Sequence, residues 1–180
     1  MLYSLAYYAA HKTIPYFSLL ALHKKIFAKI FLHKSKRSLE KHVDIFLNRF
    51  FKKMLNPVAI KCLKEARNRG DKIIILSSSP CFLVQPIAKR LKAHECIATE
   101  YKTDERGNFL SIKSVVDGKN KAKNLQDAMR RFKILDKNTF AYSDSHLDIP
   151  FLSASAHAIA INPDKILEKT SKRKGWEILL

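Results

Sequence analysis

The chain has 180 residues, 47% of them apolar, which is enough for one globular domain or one domain with a small appendage. Lys and Arg number 34 against 16 Asp and Glu, and the net charge of +18 favours anionic ligands without identifying one. The three cysteines lack Cys-x-x-Cys spacing, which argues against a disulfide framework or a zinc site and favours a reducing cytoplasm. No zinc-finger, helix-turn-helix or aromatic stacking pattern accompanies the charge, so nucleic acid is not an expected partner.

Residues 1–55 are apolar, yet they predict a helical subdomain rather than a membrane span. Basic residues interrupt both apolar runs before they reach the ~20 residues that a span needs, and Met1 is not followed by the basic start of a signal peptide. Apolar residues recur every three or four positions, which predicts amphipathic helices that pack mainly on one another. These residues are Leu19, Leu22, Ile26, Ile30, Leu39, Val43, Phe46, Leu47 and Phe50.

From residue 56 onward the sequence alternates between helical and strand-like segments. Asn56-Pro57 predicts a helix start, Gly70 predicts its end, and residues 72–76 predict a short buried strand. The later elements are predicted as a helix at 82–92, strands at 97–101 and from 109, a helix at 121–132, a strand at 138–142, a short helix after 148, a strand at 158–161 and a helix at 164–171. This order predicts an α/β fold with a mostly parallel sheet, and it places ligands at the carboxyl ends of the strands.

Three serines follow the first of these strands. Ser77, Ser78 and Ser79 precede Pro80 and the next predicted helix. Their hydroxyls and the N–H groups of a helix N-terminus are suited to bind a phosphate. The alternative is that Ser79 only caps the helix.

One lysine and two aspartates complete the set of candidate residues. Lys121 begins a predicted helix and is suited to neutralise a phosphoryl oxygen, although a lysine beside Lys119 and Lys123 also fits an exposed helix face. Asp144 and Asp148 flank a tight loop after the strand at 138–142. Two carboxylates, with water and phosphate, supply the oxygen ligands that Mg²⁺ prefers, whereas two helix N-caps would need no metal.

Together these segments resemble the haloacid dehalogenase superfamily, in its phosphoserine-phosphatase-like branch. The resemblance rests on residues 73–77 (Ile-Ile-Ile-Leu-Ser), 121–125 (Lys-Ala-Lys-Asn-Leu) and 142–150 (Tyr-Ser-Asp-Ser-His-Leu-Asp-Ile-Pro), and the tail from 160 to 179 is also similar. It implies a Rossmann-like core at 56–180 with a helical cap at 1–55 that selects the substrate.

The resemblance also implies a function and the residues that perform it. The activity would be Mg²⁺-dependent hydrolysis of a phosphomonoester, either a small phosphorylated metabolite or a lipid phosphate. The implied roles are catalytic for Ser77 and Lys121, metal-binding for Asp144 and Asp148, and substrate-binding for Ser78 and Ser145. His146 is expected to be a surface residue rather than a ligand.

Aromatic and basic residues in the cap favour the lipid substrate. The aromatic residues are Tyr7, Tyr8, Tyr16, Phe17, Phe27 and Phe31. With the surrounding lysines, they could form a surface for an anionic membrane. The expected location is cytoplasmic, and peripheral to the inner face of the membrane if this surface exists.

One part of the family pattern is absent. In that family an Asp-x-Asp-x-Thr motif on the opening strand supplies the nucleophile and the general acid and base, whereas the first acidic residues here are Glu40 and Asp44, in the helical segment. Without an attacking carboxylate no aspartyl-phosphate forms. The given chain is therefore expected to be inactive, and the alternative to an enzyme is a protein that only binds phosphate, Mg²⁺ or a partner.

The same absence affects the predicted fold. In this family the opening strand lies between the strands that end here at Ser77 and Tyr142. Because neighbouring strands lie ~4.8 Å apart, its removal separates those two strands by ~9.6 Å and leaves both facing edges unpaired. We expect the first central strand to be missing and the native protein to begin upstream of Met1. A degenerate family member, or a partner that donates the strand, are the alternatives.

Overall fold

The computed structural model describes residues 19–180, and its elements follow the predicted alternation. The helices are α1 (Leu19–Ile26), α2 (Lys36–Met54), α3 (Pro57–Asn68), α4 (Cys81–Arg90), α5 (Gly118–Phe132), α6 (Ile149–Leu152) and α7 (Lys165–Lys174). The strands are β1 (Ile74–Pro80), β2 (Glu95–Thr103), β3 (Phe109–Ser114), β4 (Phe140–Ser143), β5 (His157–Ile161) and β6 (Glu177–Leu179). A π-helical turn (Phe27–Phe31) continues α1, and two 3₁₀ turns (Asp136–Asn138 and His146–Asp148) flank β4.

Side-chain caps determine where the helices begin. The Asn56 carboxamide oxygen accepts hydrogen bonds from the N–H groups of Val58 and Ala59, at 2.8 and 3.1 Å, which starts α3 as predicted. Asp117 accepts from the N–H of Asn120 at 2.8 Å. Helix α5 therefore begins at Gly118, three residues before the predicted start.

The strands form two separate three-stranded sheets. β1 is parallel to β2, and β2 is antiparallel to β3. β4, β5 and β6 are mutually parallel in that order. Among the described strands β1 pairs only with β2, and β4 pairs only with β5. Within residues 19–180 no strand joins the β1–β3 sheet to the β4–β6 sheet, and the absence of the first central strand from the chain stays a prediction.

A cleft of about 970 Å³ lies between the two sheets. Its lining comes from β1 and β4 and from helices α3 and α5. The apolar residues that line it include Leu63, Ile73, Ile75, Leu76, Leu125 and Ala128. The cleft occupies the position that one more strand would fill.

The main core lies on the other side of β4. It is formed by Ala141, Leu152, Ala158, Ala160 and Leu167, all buried. Partly buried apolar side chains from α6 and β6 pack against this cluster. The β4–β6 sheet therefore has a complete apolar core of its own.

The amino-terminal helices pack on the rest of the fold rather than on each other. The Phe27 ring lies 4.8 Å from the ring of Tyr101, and the Phe31 ring lies 5.4 Å from that of Phe82 and 6.3 Å from that of Phe109. Helix α2 packs against α4. The expectation that these helices pack mainly on one another is wrong, because their apolar residues find partners on β2, β3 and α4.

Two of the aromatic residues that favoured a lipid surface are used in this packing. Phe27 is buried, and Phe31 contacts three other aromatic rings. Tyr7, Tyr8, Tyr16 and Phe17 lie outside the described residues. Within residues 19–180, no helix combines the length and the apolar character needed to cross a bilayer.

Candidate active site

A buried ion pair joins helix α5 to the loop after β4. Lys121 and Asp148 are each 8% exposed, and the Lys121 ammonium donates to both carboxylate oxygens of Asp148, at 2.8 and 2.7 Å. Lys121 is therefore not one of the exposed lysines of its helix, although Lys119 and Lys123 are exposed. A buried charge needs such a partner, since an unpaired one is costly.

The loop from 143 to 148 holds Asp148 through its own hydroxyl groups. Ser143 Oγ donates to Asp148 Oδ2 at 2.8 Å and accepts from the N–H of Ser145 at 3.2 Å. Ser145 Oγ accepts from the N–H of Leu147 at 3.3 Å. The Asp144 side chain is exposed at the tip of this loop. The Asp148 carboxylate is thus fixed inside the protein, whereas the Asp144 carboxylate faces solvent.

Helix α5 approaches this loop so closely that only glycine fits at residue 118. A Cβ atom at Gly118 would lie 2.1 Å from the carbonyl oxygen of Leu147. This contact between backbones brings the first turn of α5, with Lys121, within reach of Asp148. The Asp-Gly sequence before the lysine therefore both starts the helix and sets its distance from the loop.

A second carboxylate, which sequence reasoning did not single out, anchors the same loop. Asp164 Oδ2 accepts from the N–H of His146 at 2.8 Å and contacts His146 Nδ1 at 2.9 Å. Its Oδ1 accepts from the N–H groups of Ile166 and Leu167, at 3.1 and 2.9 Å, and so caps α7. The Asp164 N–H donates to the carbonyl of Asp144 at 2.9 Å.

These hydrogen bonds change the acidity of Asp164. Burial alone raises the pKa of its carboxyl group, but the N–H groups of Leu167 and His146 and the His146 ring outweigh burial, so the pKa is lower than usual. His146 is only partly exposed, and it serves the loop by contacting this carboxylate. Two features of the sequence could have indicated this arrangement, namely the Asn-Pro-Asp before α7 and the histidine in the loop.

The serine segment forms the end of β1 and does not cap the next helix. The regular ladder with β2 runs from Ile74 to Ser77 and shifts before Pro80. Ser77 Oγ accepts from the N–H of Ser79 at 3.1 Å, and α4 begins without a side-chain cap. The alternative that Ser79 acts as the cap is therefore wrong.

Thr99 fixes the position of this serine segment. Its hydroxyl, fully buried on β2, donates to the carbonyl of Ser78 at 2.8 Å and accepts from the N–H of Val116 at 3.2 Å. Val116 leads into α5, so one side chain links the end of β1 to the segment that carries Lys121. Sequence reasoning missed Thr99, because a threonine inside a strand gives no functional signal.

The structure brings together only part of the predicted site. Lys121 and Asp148 are in direct contact, and Asp144 and Ser145 lie in the same loop. Ser77 and Ser78 lie at the end of β1, on the other side of the cleft, and within residues 19–180 they make no hydrogen bond to that pair. The β1–β3 sheet thus carries the two serines, and the loop after β4 in the other sheet carries the two aspartates and Ser145.

The donor set limits how a metal could bind. Within residues 19–180 no cluster of three or more His, Cys, Asp or Glu side chains could hold a metal ion. Asp144 is the accessible carboxylate, because Asp148 is already paired with Lys121. Mg²⁺ commonly binds through one or two carboxylates and takes its remaining ligands from water and substrate phosphate, so Asp144 would be the one accessible carboxylate that this loop offers to such an ion.

Comparison with known proteins places the chain in a family. Residues 3–153 match the family of haloacid dehalogenase-like hydrolases. The chain is 30% identical over 151 residues to a histidinol-phosphatase of Neisseria meningitidis, covering 81% of this chain and 68% of the relative. It is 32% identical over 111 residues to a phosphoserine phosphatase of Mycobacterium tuberculosis, covering 61% of this chain and 36% of the relative.

A solved structure confirms the fold. A substrate-bound phosphoserine phosphatase aligns with a TM-score of 0.58 at 21% identity, covering 87% of this chain and 78% of that one. The chain spans about two thirds of the histidinol-phosphatase and a smaller share of several other curated relatives. The family match covers most of the sequence and includes both the serine segment and the loop with its two aspartates. The chain belongs to the haloacid dehalogenase-like hydrolases.

Proposed function

We propose that this chain provides the phosphate-binding and Mg²⁺-binding part of a phosphomonoester hydrolase. The observation that carries the proposal is the buried contact between Lys121 and Asp148, beside the exposed Asp144, at the carboxyl end of β4. The names of the relatives support a phosphatase, since they include a histidinol-phosphatase and a phosphoserine phosphatase.

The chain's own groups are suited to hold a phosphoryl group. The Lys121 ammonium has three donors, and the carboxylate of Asp148, which also offsets its charge, uses two of them, which leaves one N–H donor for a phosphoryl oxygen. The Ser77 hydroxyl and the backbone N–H groups after it are suited to a second oxygen. Asp148 acts as a positioning residue, since it fixes the ammonium at one place.

Asp144 would hold Mg²⁺ with the help of water, and Asp148 would orient the lysine beside it. The bound ion would offset the negative charge of the phosphoryl group and increase the electrophilicity of its phosphorus. The carbonyl of Asp144 is already held by the N–H of Asp164, so the backbone of this ligand is fixed before any metal binds. Preorganised ligands of this kind reduce the cost of binding.

The chain contains no pair of aspartates spaced as Asp-x-Asp. Lys121 is a cation, and a serine hydroxyl without a neighbouring base is a weak nucleophile, so neither replaces an attacking carboxylate. We therefore expect the chain alone to bind phosphate without hydrolysing a phosphomonoester. Hydrolysis would require a carboxylate delivered to the space between the ends of β1 and β4.

Calorimetric titration with inorganic phosphate, with and without Mg²⁺, tests the binding. Lys121→Met should weaken phosphate binding by at least about tenfold, because it removes a charge-assisted hydrogen bond in a partly buried site. Lys123→Met is the matched control, since Lys123 is exposed on the same helix. Equal losses in the two variants, or no binding by the unsubstituted chain, would contradict the proposal.

The metal contribution is tested in the same titration. Asp144→Asn should abolish the increase in phosphate affinity that Mg²⁺ produces, and Asp136→Asn should not, because Asp136 is exposed in a turn before β4. If Asp144→Asn leaves the Mg²⁺ effect unchanged, the metal does not bind at this loop.

The hydrolase assignment needs an experiment of its own. A strand with Asp-x-Asp at its carboxyl end is fused ahead of residue 1, and hydrolysis of p-nitrophenyl phosphate is measured with Mg²⁺. Activity that disappears in Lys121→Met supports the hydrolase. Phosphate binding without any activity would identify a binding protein instead.

Two substrate classes remain to be compared in that active fusion. Phosphoserine and histidinol phosphate represent small phosphorylated metabolites, and vesicles that carry a lipid phosphate represent the membrane substrate. Preference for the vesicles at low salt, lost at high salt, would support the lipid class. Preference for the soluble phosphates at both salt concentrations would support the metabolite class.

A further inference from the structure

The end of β1 contains a bulge. Ser77 and Pro80 lie three positions apart, but their partners on β2 are consecutive residues, at positions 98 and 99. The two serines between them, at positions 78 and 79, are therefore extra residues in this strand, and we call them the serine bulge. A bulge bends its strand and redirects the side chains beside it, so this one determines where the Ser77 hydroxyl points.

The side chain of Thr99 holds the serine bulge in place. Thr99 Oγ1 donates to the carbonyl of Ser78, inside the bulge, at 2.8 Å. Thr99 is fully buried, and a backbone carbonyl without a partner in such surroundings would be costly. The conformation of the bulge therefore depends on a hydroxyl group from the neighbouring strand.

The same hydroxyl fixes the segment that leads to Lys121. Thr99 Oγ1 accepts from the N–H of Val116 at 3.2 Å. The next residue, Asp117, accepts at its carbonyl from the N–H of Lys121 at 2.8 Å. The end of β1 and the first turn of α5 are thus connected through one buried side chain.

The bulge also leaves the Ser77 hydroxyl free to donate. Ser77 Oγ accepts from the N–H of Ser79 at 3.1 Å, and among residues 19–180 its own proton is given to no acceptor. A hydroxyl that accepts one hydrogen bond can still donate another. Ser77 and Lys121 therefore each retain one donor for an oxygen of a bound phosphate.

Building on the proposed function, we propose that Thr99 is a positioning residue for phosphate binding. Its hydroxyl sets the distance between the Ser77 hydroxyl and the Lys121 ammonium. The described strands form two separate sheets, so no strand ladder among them connects these two donors, and the side-chain link takes that role. Two donors whose separation is fixed in advance bind an anion at a lower entropic cost than two that move independently.

Calorimetric titration of the full chain with inorganic phosphate tests this role. Thr99→Val keeps nearly the same side-chain shape and removes the hydroxyl. Phosphate affinity should then fall at least about fivefold, which corresponds to the loss of one neutral hydrogen bond to the ligand. Thr99→Ser keeps the hydroxyl, so its affinity should stay within about twofold of that of the unsubstituted chain.

Thr139 provides a matched control. Its Oγ1 also donates to a carbonyl, that of Asp136 at 2.7 Å, and accepts from an N–H, that of Ala156 at 2.9 Å. Thr139 is likewise buried, but it lies just before β4, at the opposite end of that strand from the loop with Asp148. Thr139→Val should lower the urea midpoint of unfolding by a similar amount without changing phosphate affinity. This comparison separates a loss of stability from a loss of positioning.

A double-mutant cycle shows whether Thr99 acts through Ser77. In a Ser77→Ala background the donor that Thr99 positions is already absent, so adding Thr99→Val should weaken phosphate binding by less than about twofold more. Losses that multiply fully would mean that the two residues act independently. That result would overturn the proposal.

Hydrogen exchange in the unsubstituted chain decides the question if Thr99→Val does not fold. Bound phosphate should slow exchange of the Val116 N–H at least about threefold, because it holds both ends of the link that Thr99 makes. The Ala156 N–H, bonded to Thr139, should exchange at an unchanged rate. Equal slowing at both amides, or none at Val116, would overturn the proposal.

Failure here can be distinguished from failure of the proposed function. If the unsubstituted chain does not bind phosphate, both proposals are wrong. If Lys121→Met weakens binding selectively while Thr99→Val behaves like Thr139→Val, only the role of Thr99 is refuted. The same holds if Thr99→Ser loses as much affinity as Thr99→Val, because the hydroxyl would then not be the group that matters.

Discussion

The two sides of β4 differ in how completely they are packed. Toward β5, the side chains of Ala141, Ala158 and Ala160 are buried with Leu152 and Leu167 in a closed core. Toward β1, the strand faces the cleft, and residues 74–76 across it are only partly buried. The Lys121–Asp148 contact, the loop and α7 depend on the packed side. This difference explains how the end of the site that contains Lys121 and Asp148 can be formed although the described strands form two separate sheets.

The strongest test of this comparison removes the buried carboxylate. Asp148→Ala should lower the free energy of unfolding by about 3–5 kcal/mol, because it leaves the Lys121 charge buried without a partner. Urea unfolding followed by circular dichroism measures the change. Glu168→Ala is the control, since it breaks the exposed pair with Lys172 and should cost no more than about 0.5 kcal/mol. Similarly small losses in both variants would show that the Lys121 ammonium does not need the Asp148 carboxylate as a partner in the folded state.

The packing difference itself can be measured with two leucines. Leu152→Ala should lower the free energy of unfolding by about 2–5 kcal/mol, because the side chain is fully buried and leaves a cavity. Leu76→Ala, on the cleft, should cost about 1 kcal/mol or less, because that side chain is only partly removed from water. Urea unfolding of both variants gives the comparison. Equal losses would mean that the cleft side of the sheet is packed as tightly as the core.

Sequence reasoning succeeded where one local pattern determines the outcome. The helix start at Asn56-Pro57 and the strand at residues 140–143 follow from adjacent residues. The division of the sheet followed from a missing motif and the fixed spacing of strands. The family match then confirmed the resemblance carried by residues 73–77, 121–125 and 142–150.

The missed features depend on residues that are distant in the sequence. Asp164 meets His146 across 18 positions, and Thr99 meets Ser78 across 21. Neither pairing has a periodic signal, because it exists only after the strands are aligned. Strand β6 was missed for a different reason, since its three residues are too few to show a strand pattern.

Tyr101, on β2, allows the stability of the β1–β3 sheet to be tested as a function of pH. The Tyr101 hydroxyl is buried and has no hydrogen-bond partner among residues 19–180, and burial raises its pKa to about 12. Because this pKa lies above the unfolded value of about 10, the stability contribution is complete below pH 10 and is lost as the pH rises through 12. We expect a loss of about 1–2 kcal/mol after solvent screening.

Tyr101→Phe is the control for that titration. It keeps the ring contact with Phe27 and removes the hydroxyl, so the Tyr101 component should disappear from the profile of unfolding free energy against pH. Lysines that titrate in the same range contribute equally to both proteins. Identical profiles for the two proteins between pH 9 and 12 would show that the hydroxyl is hydrated in the folded state.

The smallest expected effect on stability concerns Asp164, whose carboxylate anchors the loop from 143 to 148. Asp164→Ala should cost about 1 kcal/mol, because it removes the cap of α7 and the contacts with His146. Asp164→Asn retains an oxygen that can cap the helix, so it should cost less at pH 7. Thermal unfolding of both variants measures the difference.

The pH dependence separates the charge of Asp164 from its role as a cap. The pKa of its carboxyl group is lowered in the folded state, so its contribution is present above the unfolded value and is lost as the pH falls through the folded one. Asp164→Asn should lack this acid-side loss although its helix remains capped. If the Asn variant loses stability in acid as the unsubstituted chain does, then the loop is anchored by geometry alone. In that case the charge of Asp164 would contribute nothing to positioning Asp144 and Asp148.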